Sequence, residues 1–291
     1  MPISLLFEQI LNGIVLGSMY ALMGGGLALI YGTMRILNFA HGEFFMLGGF
    51  FVFFLFAGAH ITPFLAVPIA VLAAAAIAAG IQRSTLAILQ RRDGWLFATI
   101  AATLGISIIL QNVALLLWGE RFQSVPYYIE GTLAVGDIRM AYQRLLILAV
   151  ALCSLALVGL VLRYTRFGLA VRATAQDQEA AKVMGISTER INTATFAMGA
   201  GLAALAATML APLIAVNPWM GLPLLLKAFV VVVLGGLGSF KGAILGGILL
   251  GVIEAVGMSM TSAEWRDVIS YSVLIAVIWL RPWGLFGVKE R

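Results

Sequence analysis

At 291 residues, with 62% hydrophobic and 11% charged side chains and a mean hydropathy of +1.04, the chain is far more apolar than a soluble domain, where about a quarter of residues are charged. Its length suits an all-α polytopic membrane protein of about eight to ten spans with short connections, a single transmembrane domain over residues 1–291 with no room for a soluble catalytic domain. The net charge of +5 does not indicate nucleic acid, because the basic residues fall mainly between apolar runs, and the lone Cys153 supports neither a disulfide framework nor a metal cluster.

Residues 1–9 lack a basic leader and carry Glu8, so the first apolar run reads as a retained helix. Candidate spans are 10–31, 39–56, 63–81, 96–118, 145–162 and 191–212, then a long apolar region over 222–256 and a final span near 268–280. The long region is interrupted by Gly235-Gly236-Leu237-Gly238-Ser239-Phe240-Lys241, which predicts a glycine-broken helical hairpin hinged at Gly235, Gly236 and Gly238. Small residues recur every fourth position at Gly13, Gly17, Ala21 and Gly25, at Ala203, Ala207 and Ala211, and at Gly238, Gly242 and Gly246, a spacing that predicts close helix contact. No internal sequence repeat is evident.

Charge sets the expected orientation. Arg83, Arg91 and Arg92 follow the third span, and Arg163, Arg166, Arg172, Lys182 and Arg190 follow the fifth, which places both breaks in the cytoplasm. The breaks at 57–62 and 213–221 carry no Lys or Arg, which places them and the N-terminus outside. Arg121 and Arg139 depart from this pattern, although Glu120, Glu130 and Asp137 accompany them. The tail with Arg281, Lys289 and Arg291 is cytoplasmic if the glycine-broken region crosses twice or re-enters.

Two polar groupings stand out within the apolar runs. Thr99, Thr103, Ser107 and Gln111 recur every four residues on one helix face, with Asn112 beside the last, and suit either a zwitterion pathway or interhelical bonding. Asn38, His41 and Glu43 open the second span on the side that the charges make cytoplasmic, either as a gate or as a helix cap. A buried carboxylate needs a partner, and His41 and Arg35 are the neighbours in sequence; Lys227 and Glu254 could snorkel to an interface.

The polar break over 163–190 contains Asp177, a helix-capping residue, followed by Glu179, Ala180, Ala181, Lys182, Val183, Met184 and Gly185. As a helix, it presents Ala180, Val183 and Met184 on one face and ends at a glycine suited to a left-handed turn, the form of a short helix that docks in a partner's groove. E-A-A-x-x-x-G resembles the coupling loop of ATP-binding-cassette import permeases, without the Ile-x-Leu-Pro continuation that the longer motif has. Together with Leu11-Asn12-Gly13, Gly17-Ser18, Tyr20-Ala21, Asn38-Phe39-Ala40-His41-Gly42-Glu43, Arg172-Ala173 and Leu234-Gly235-Gly236-Leu237-Gly238-Ser239, nearly the whole chain resembles the bacterial branched-chain amino acid permeases of the LivH type.

That resemblance implies a multi-pass permease of the bacterial inner membrane, with 163–190 as its cytoplasmic coupling loop. It also implies a second homologous permease, two cytoplasmic ATPase subunits and an extracytoplasmic amino-acid-binding protein. No G-x-x-x-x-G-K-[ST] occurs, so ATP and magnesium belong on the partner ATPase and this chain is neither an enzyme nor the holder of a cofactor. Related permeases carry urea, short amides or other amino acids, and an ion-coupled secondary transporter is a further alternative. A membrane enzyme finds no support, because His41 and His60 are the only histidines and no nucleophile or metal spacing accompanies them.

Overall fold

The computed structural model describes residues 3–91, 94–135 and 138–287. Arg92, Asp137, Lys289 and Arg291, used above to read orientation, lie outside the described residues. Among the described residues the regular structure is helical apart from the two-stranded hairpin β1 (Thr132–Val135) and β2 (Ile138–Ala141). Its helices are α1 (Ile3–Met34), α2 (His41–Val52) extended by a π-helical turn (Phe53–Gly58), α3 (Pro63–Ile81) extended through Gln82–Leu86 to α4 (Ala87–Leu89), and α5 (Trp95–Trp118). Beyond the hairpin follow α6 (Tyr142–Tyr164), α7 (Arg166–Gln176), α8 (Gln178–Val183), α9 (Thr188–Leu210), α10 (Gly221–Gly235), α11 (Phe240–Met260) and α12 (Arg266–Leu280).

Among the described residues, seven helices are long and apolar enough to cross a membrane. At 15 residues each, α10 and α12 reach only about 22 Å, less than the roughly 30 Å hydrocarbon core, so seven long helices stand against the eight to ten spans expected, with α10 a shorter apolar helix beside them. The predicted hairpin is α10 and α11. It breaks at Gly236 and Gly238, whose φ values of 101° and 79° lie in the left-handed region open to glycine.

Close packing follows the small-residue stripes. On α1, a Cβ at Gly13 or Gly17 would lie 2.7 Å from the Cα of Val252 or Ile248, so α1 and α11 approach backbone to backbone. Ala203, Ala207 and Ala211 are buried, as expected of their stripe.

Two connections dip back into the bundle. After α1 ends, residues 35–40 return alongside it, so that His41, the first residue of α2, places Nε2 3.1 Å from the carbonyl of Met23, roughly 16 Å back along α1. The Asn38–Glu43 segment, expected at the cytoplasmic border, therefore lies deep in the protein. From the other end, residues 211–220 pair with the α5–β1 loop through Gln123 and Val216, then turn in to start α10 at Gly221.

The two turns are built alike. Asn38 Oδ1 accepts from the amide of Ala40 at 3.0 Å, as Asn217 Oδ1 accepts from that of Trp219 at 3.0 Å. The amides of His41 and Met220 donate to Asn38 and Asn217 carbonyls, each at 3.3 Å, and a glycine follows at the same spacing, Gly42 and Gly221. These glycines pack reciprocally, since a Cβ on either would collide with the carbonyl of the other. Gly26 of α1 and Gly199 of α9 meet in the same reciprocal way. Around this local two-fold, α2 packs on α9 where Gly48 meets Ala204, and α10 packs on α1 where Val231 meets Gly24. The first three long helices are thus repeated, inverted, by α9, α10 and α11, an internal symmetry of the kind transporters use. Its only trace in sequence is Asn-x-x-x-Gly at 38–42 and 217–221. Five residues with free choice at three of them are too few to mark a repeat, so none is evident in the sequence although the backbone arrangement recurs.

Candidate functional site

The reciprocal contact at Gly42 and Gly221 brings two helix N-termini together inside the bundle, and Glu43 sits beside both. The residue is 3% exposed; Oε1 accepts a 2.9 Å hydrogen bond from Ser107 Oγ of α5, while Oε2 has no partner and lies 3.1 Å from where a Gly221 Cβ would be. The expected partners do not serve. His41 turns to Met23, and Arg35 is exposed, in a left-handed conformation at φ 55°. The two polar groupings seen separately in the sequence meet through this one bond.

His41 and Asn38 are fully buried with Nδ1 and Nδ2 unpartnered, so three polar atoms near the crossing lack partners. Asn38 does not cap α2 itself; Ala40 is the residue preceding the helix, and Asn38 closes the turn before it. Along α5, Thr99 and Thr103 face inward and are fully buried. Thr99 donates to the Trp95 carbonyl of its own helix and Thr103 to that of Ile100 at 3.0 Å, so Ser107 is the one of the stripe that reaches across to a side chain of α2. Gln111 is half-buried, whereas Asn112 is exposed and bonds back to the Ile108 carbonyl at 2.8 Å.

At the end of the bundle that holds α7 and α8 the short helix predicted after Asp177 forms. Thr165 starts α7 by accepting from the Gly168 amide at 3.1 Å, and Arg172 of α7 donates to the Leu162 carbonyl, which ties α7 to the end of α6. Asp177 Oδ1 accepts from the amides of Glu179 and Ala180, each at 2.9 Å, and caps α8. Gly185 ends it at φ 84°. Ala181 anchors the helix inward, Lys182 and Glu179 pair at 2.7 Å, and Ala180, Val183 and Met184 remain uncovered, the last two at 87% and 81% exposure. An uncovered apolar face on a capped helix outside the bundle is a surface with room for a partner.

The hinge glycines sit in a packed turn. Gly235 and Gly242 meet backbone to backbone, Gly238 faces Gly32 of α1, and Leu285 and Phe286 donate to the carbonyls of Leu234 and Gly235 at 2.8 and 3.1 Å.

Sequence reading missed one cluster. Lys227 and Glu254, for which the sequence left snorkelling to an interface open, are buried and paired at 2.7 Å. Lys227 Nζ also bonds Ser270 Oγ at 2.6 Å and Asp267 at 2.8 Å, and Glu254 Oε2 accepts from Tyr20 at 2.7 Å. The network ties α1, α10, α11 and α12 together. The signal available was an opposite-charge pair within apolar helices, where an unpaired charge is too costly to keep.

The family described as the permease component of branched-chain amino acid transport systems matches residues 9–278. The high-affinity branched-chain amino acid permease LivH of Salmonella typhimurium is 36% identical over 97% of this chain and 96% of its own. LivH of Escherichia coli is 34% identical over the same shares, and BraD of Pseudomonas aeruginosa 35%. No solved structure matches the chain.

Proposed function

We propose a function from one premise: the chain belongs to the family of permease components of branched-chain amino acid transport systems. It is the membrane-spanning subunit of an ATP-driven importer that carries branched-chain amino acids across the bacterial inner membrane. Transport by near full-length relatives carries this reading of substrate. ATP and magnesium act on two separate cytoplasmic ATPase subunits, a second homologous permease completes the membrane part, and an extracytoplasmic binding protein delivers the amino acid.

The uncovered, Asp177-capped α8 supports the coupling half of the reading. Its Ala180, Val183 and Met184 would rest in a groove of the ATPase, within a coupling loop over 163–190 that includes Arg172, Glu179, Ala181 and Gly185. The basic residues around it support a cytoplasmic side for this end, with the start of α1 outside and the end of α12 inside. Because α7 packs on both α1 and α9, a push on α8 reaches the helix pair that crosses at Gly26 and Gly199. The turn at Gly235, Gly236 and Gly238 is the hinge for α10.

The gate of this reading is the crossing at Gly42 and Gly221, with Asn38, His41 and Glu43 from one side and Thr99, Thr103, Ser107, Gln111 and Asn112 along α5. A substrate with an apolar side chain and a zwitterionic head suits an apolar path with a few polar atoms. The test is uptake of radiolabelled leucine by cells carrying this chain with its neighbouring transporter genes, with and without ATP, against unlabelled valine, urea and other amino acids. ATP-dependent uptake blocked by valine is the expected result. Uptake blocked by urea alone would replace the substrate, and uptake driven by an ion gradient without an ATPase would remove the reading altogether.

A further inference from the structure

At the end of the bundle that holds α7 and α8, a cleft of about 870 Å³ opens between α1, α6, α7 and the start of α11. Its walls are apolar, formed by Leu155, Ala156 and Gly159 of α6, Ala28 and Leu29 of α1 and Ile244 of α11. Its rim is basic. Arg163 ends α6, Arg172 lies on α7 and Lys241 on the first turn of α11, and all three line the cleft. Among the described residues, none of the three forms an ion pair with a carboxylate: Arg172 donates to a backbone carbonyl, and Arg163 lies over the Tyr164 ring at 5.1 Å. The volume falls in the range of sites that enclose a small organic ligand, and the apolar walls and cationic rim are divided along the helix axis.

That division matches a molecule with hydrocarbon at one end and negative charge at the other. We infer that this cleft binds an anionic phospholipid of the membrane leaflet on its own side, with acyl chain against α1 and α6 and the phosphate among Arg163, Arg172 and Lys241. Basic pockets between membrane helices near the cytoplasmic face hold such head groups, and each cation near an anionic surface strengthens binding severalfold. The bound lipid wedges α6 and α7 against α1 and α11, at the root of the segment that carries α8. A neutral lipid offers the same chains without the charge, and free phosphate offers the charge without the chains, so only the amphiphile satisfies both walls and rim.

The test is native mass spectrometry of the purified full chain in detergent, titrated in turn with dioleoyl phosphatidylglycerol, dioleoyl phosphatidylcholine and inorganic phosphate. Preferential retention of phosphatidylglycerol is expected, with roughly tenfold or greater loss of that adduct in the Arg163→Gln/Lys241→Gln variant. Gly159→Leu should lose the adduct too with the charges intact. A Cβ at Gly159 has its nearest neighbour, Phe240, at 3.9 Å, so this variant fills the cleft without a backbone clash and remains readable if the charge variant fails to fold. Arg139→Gln, on the β2 strand, is the control that keeps the adduct. Equal retention of phosphatidylcholine, displacement by inorganic phosphate, or phosphatidylglycerol adducts unchanged in both cleft variants would overturn the assignment.

Discussion

Ser107 of α5 donates a 2.9 Å hydrogen bond to Glu43 of α2, so the buried carboxylate beside the helix crossing is held by the middle of a helix most of whose side chains are exposed or only partly buried. Removing the hydroxyl leaves Glu43 with neither oxygen partnered. We expect Ser107→Ala to cost about 1.5–3 kcal/mol of stability and to lower transport, and Glu43→Gln to retain the fold better because a neutral amide needs less. Thermal unfolding in detergent alongside leucine uptake measures both. A Ser107→Ala protein as stable and active as the parent would show that the bond does nothing.

The reciprocal glycines leave no volume for a methyl group. Gly42→Ala and Gly221→Ala should each destabilise by roughly 1–3 kcal/mol, since the clash is with backbone. The double variant should cost less than the sum, because both methyls force the same two segments apart. Gly105→Ala, inside α5 with nothing within 4 Å, is the control expected to keep or raise the unfolding temperature.

The buried pair of Lys227 and Glu254 behaves as a unit. Lys227→Met strands Glu254 without its cation and should cost about 3–5 kcal/mol, whereas Lys227→Met with Glu254→Met should recover much of that loss. Unfolding midpoints of the single and double variants decide it; a double variant worse than both singles would mean that the polar network, with Tyr20 and Ser270, outweighs the pair.

The proposed contact through α8 can be tested without disturbing the bundle. Val183→Asp, on an exposed face, and Glu179→Lys, a charge reversal, should abolish transport while membrane insertion and unfolding temperature stay near the parent. A bulky residue at Gly185 should do the same, because φ 84° costs an L-residue roughly 1–2 kcal/mol and the turn that ends α8 would relax. Asp177→Ala should weaken α8 by about 1 kcal/mol through loss of its cap. Normal uptake by the Val183 and Gly185 variants would remove the coupling role. Co-purification of the ATPase subunits gives an independent readout.

Much of this was legible in the chain because the signals are local. The spans, the break at Gly236, the Asp177 cap and the uncovered face of α8 each follow from a few neighbouring residues whose chemistry decides their own conformation. The small-residue stripes likewise announced close helix contact, although not which helices would meet. The partner of Glu43 was misread for the opposite reason: proximity in sequence favoured His41 and Arg35, while the residue that reaches it lies 64 positions away on α5. Lys227 and Glu254 were read singly because a predicted hairpin of α10 and α11 does not by itself say which side chains of the two helices face each other.

Hydropathy and local chemistry were enough to make this chain a helical membrane protein with a short capped helix in its longest polar break, because water and hydrocarbon sort residues one at a time. The inverted pairing of α1–α3 with α9–α11, the return of residues 35–40 and 211–220 into the bundle, and the meeting of Gly42 with Gly221 were decided only in three dimensions. Those features depend on backbones approaching where two glycines coincide, and a glycine carries no record of its partner until the helices that bring it there have packed.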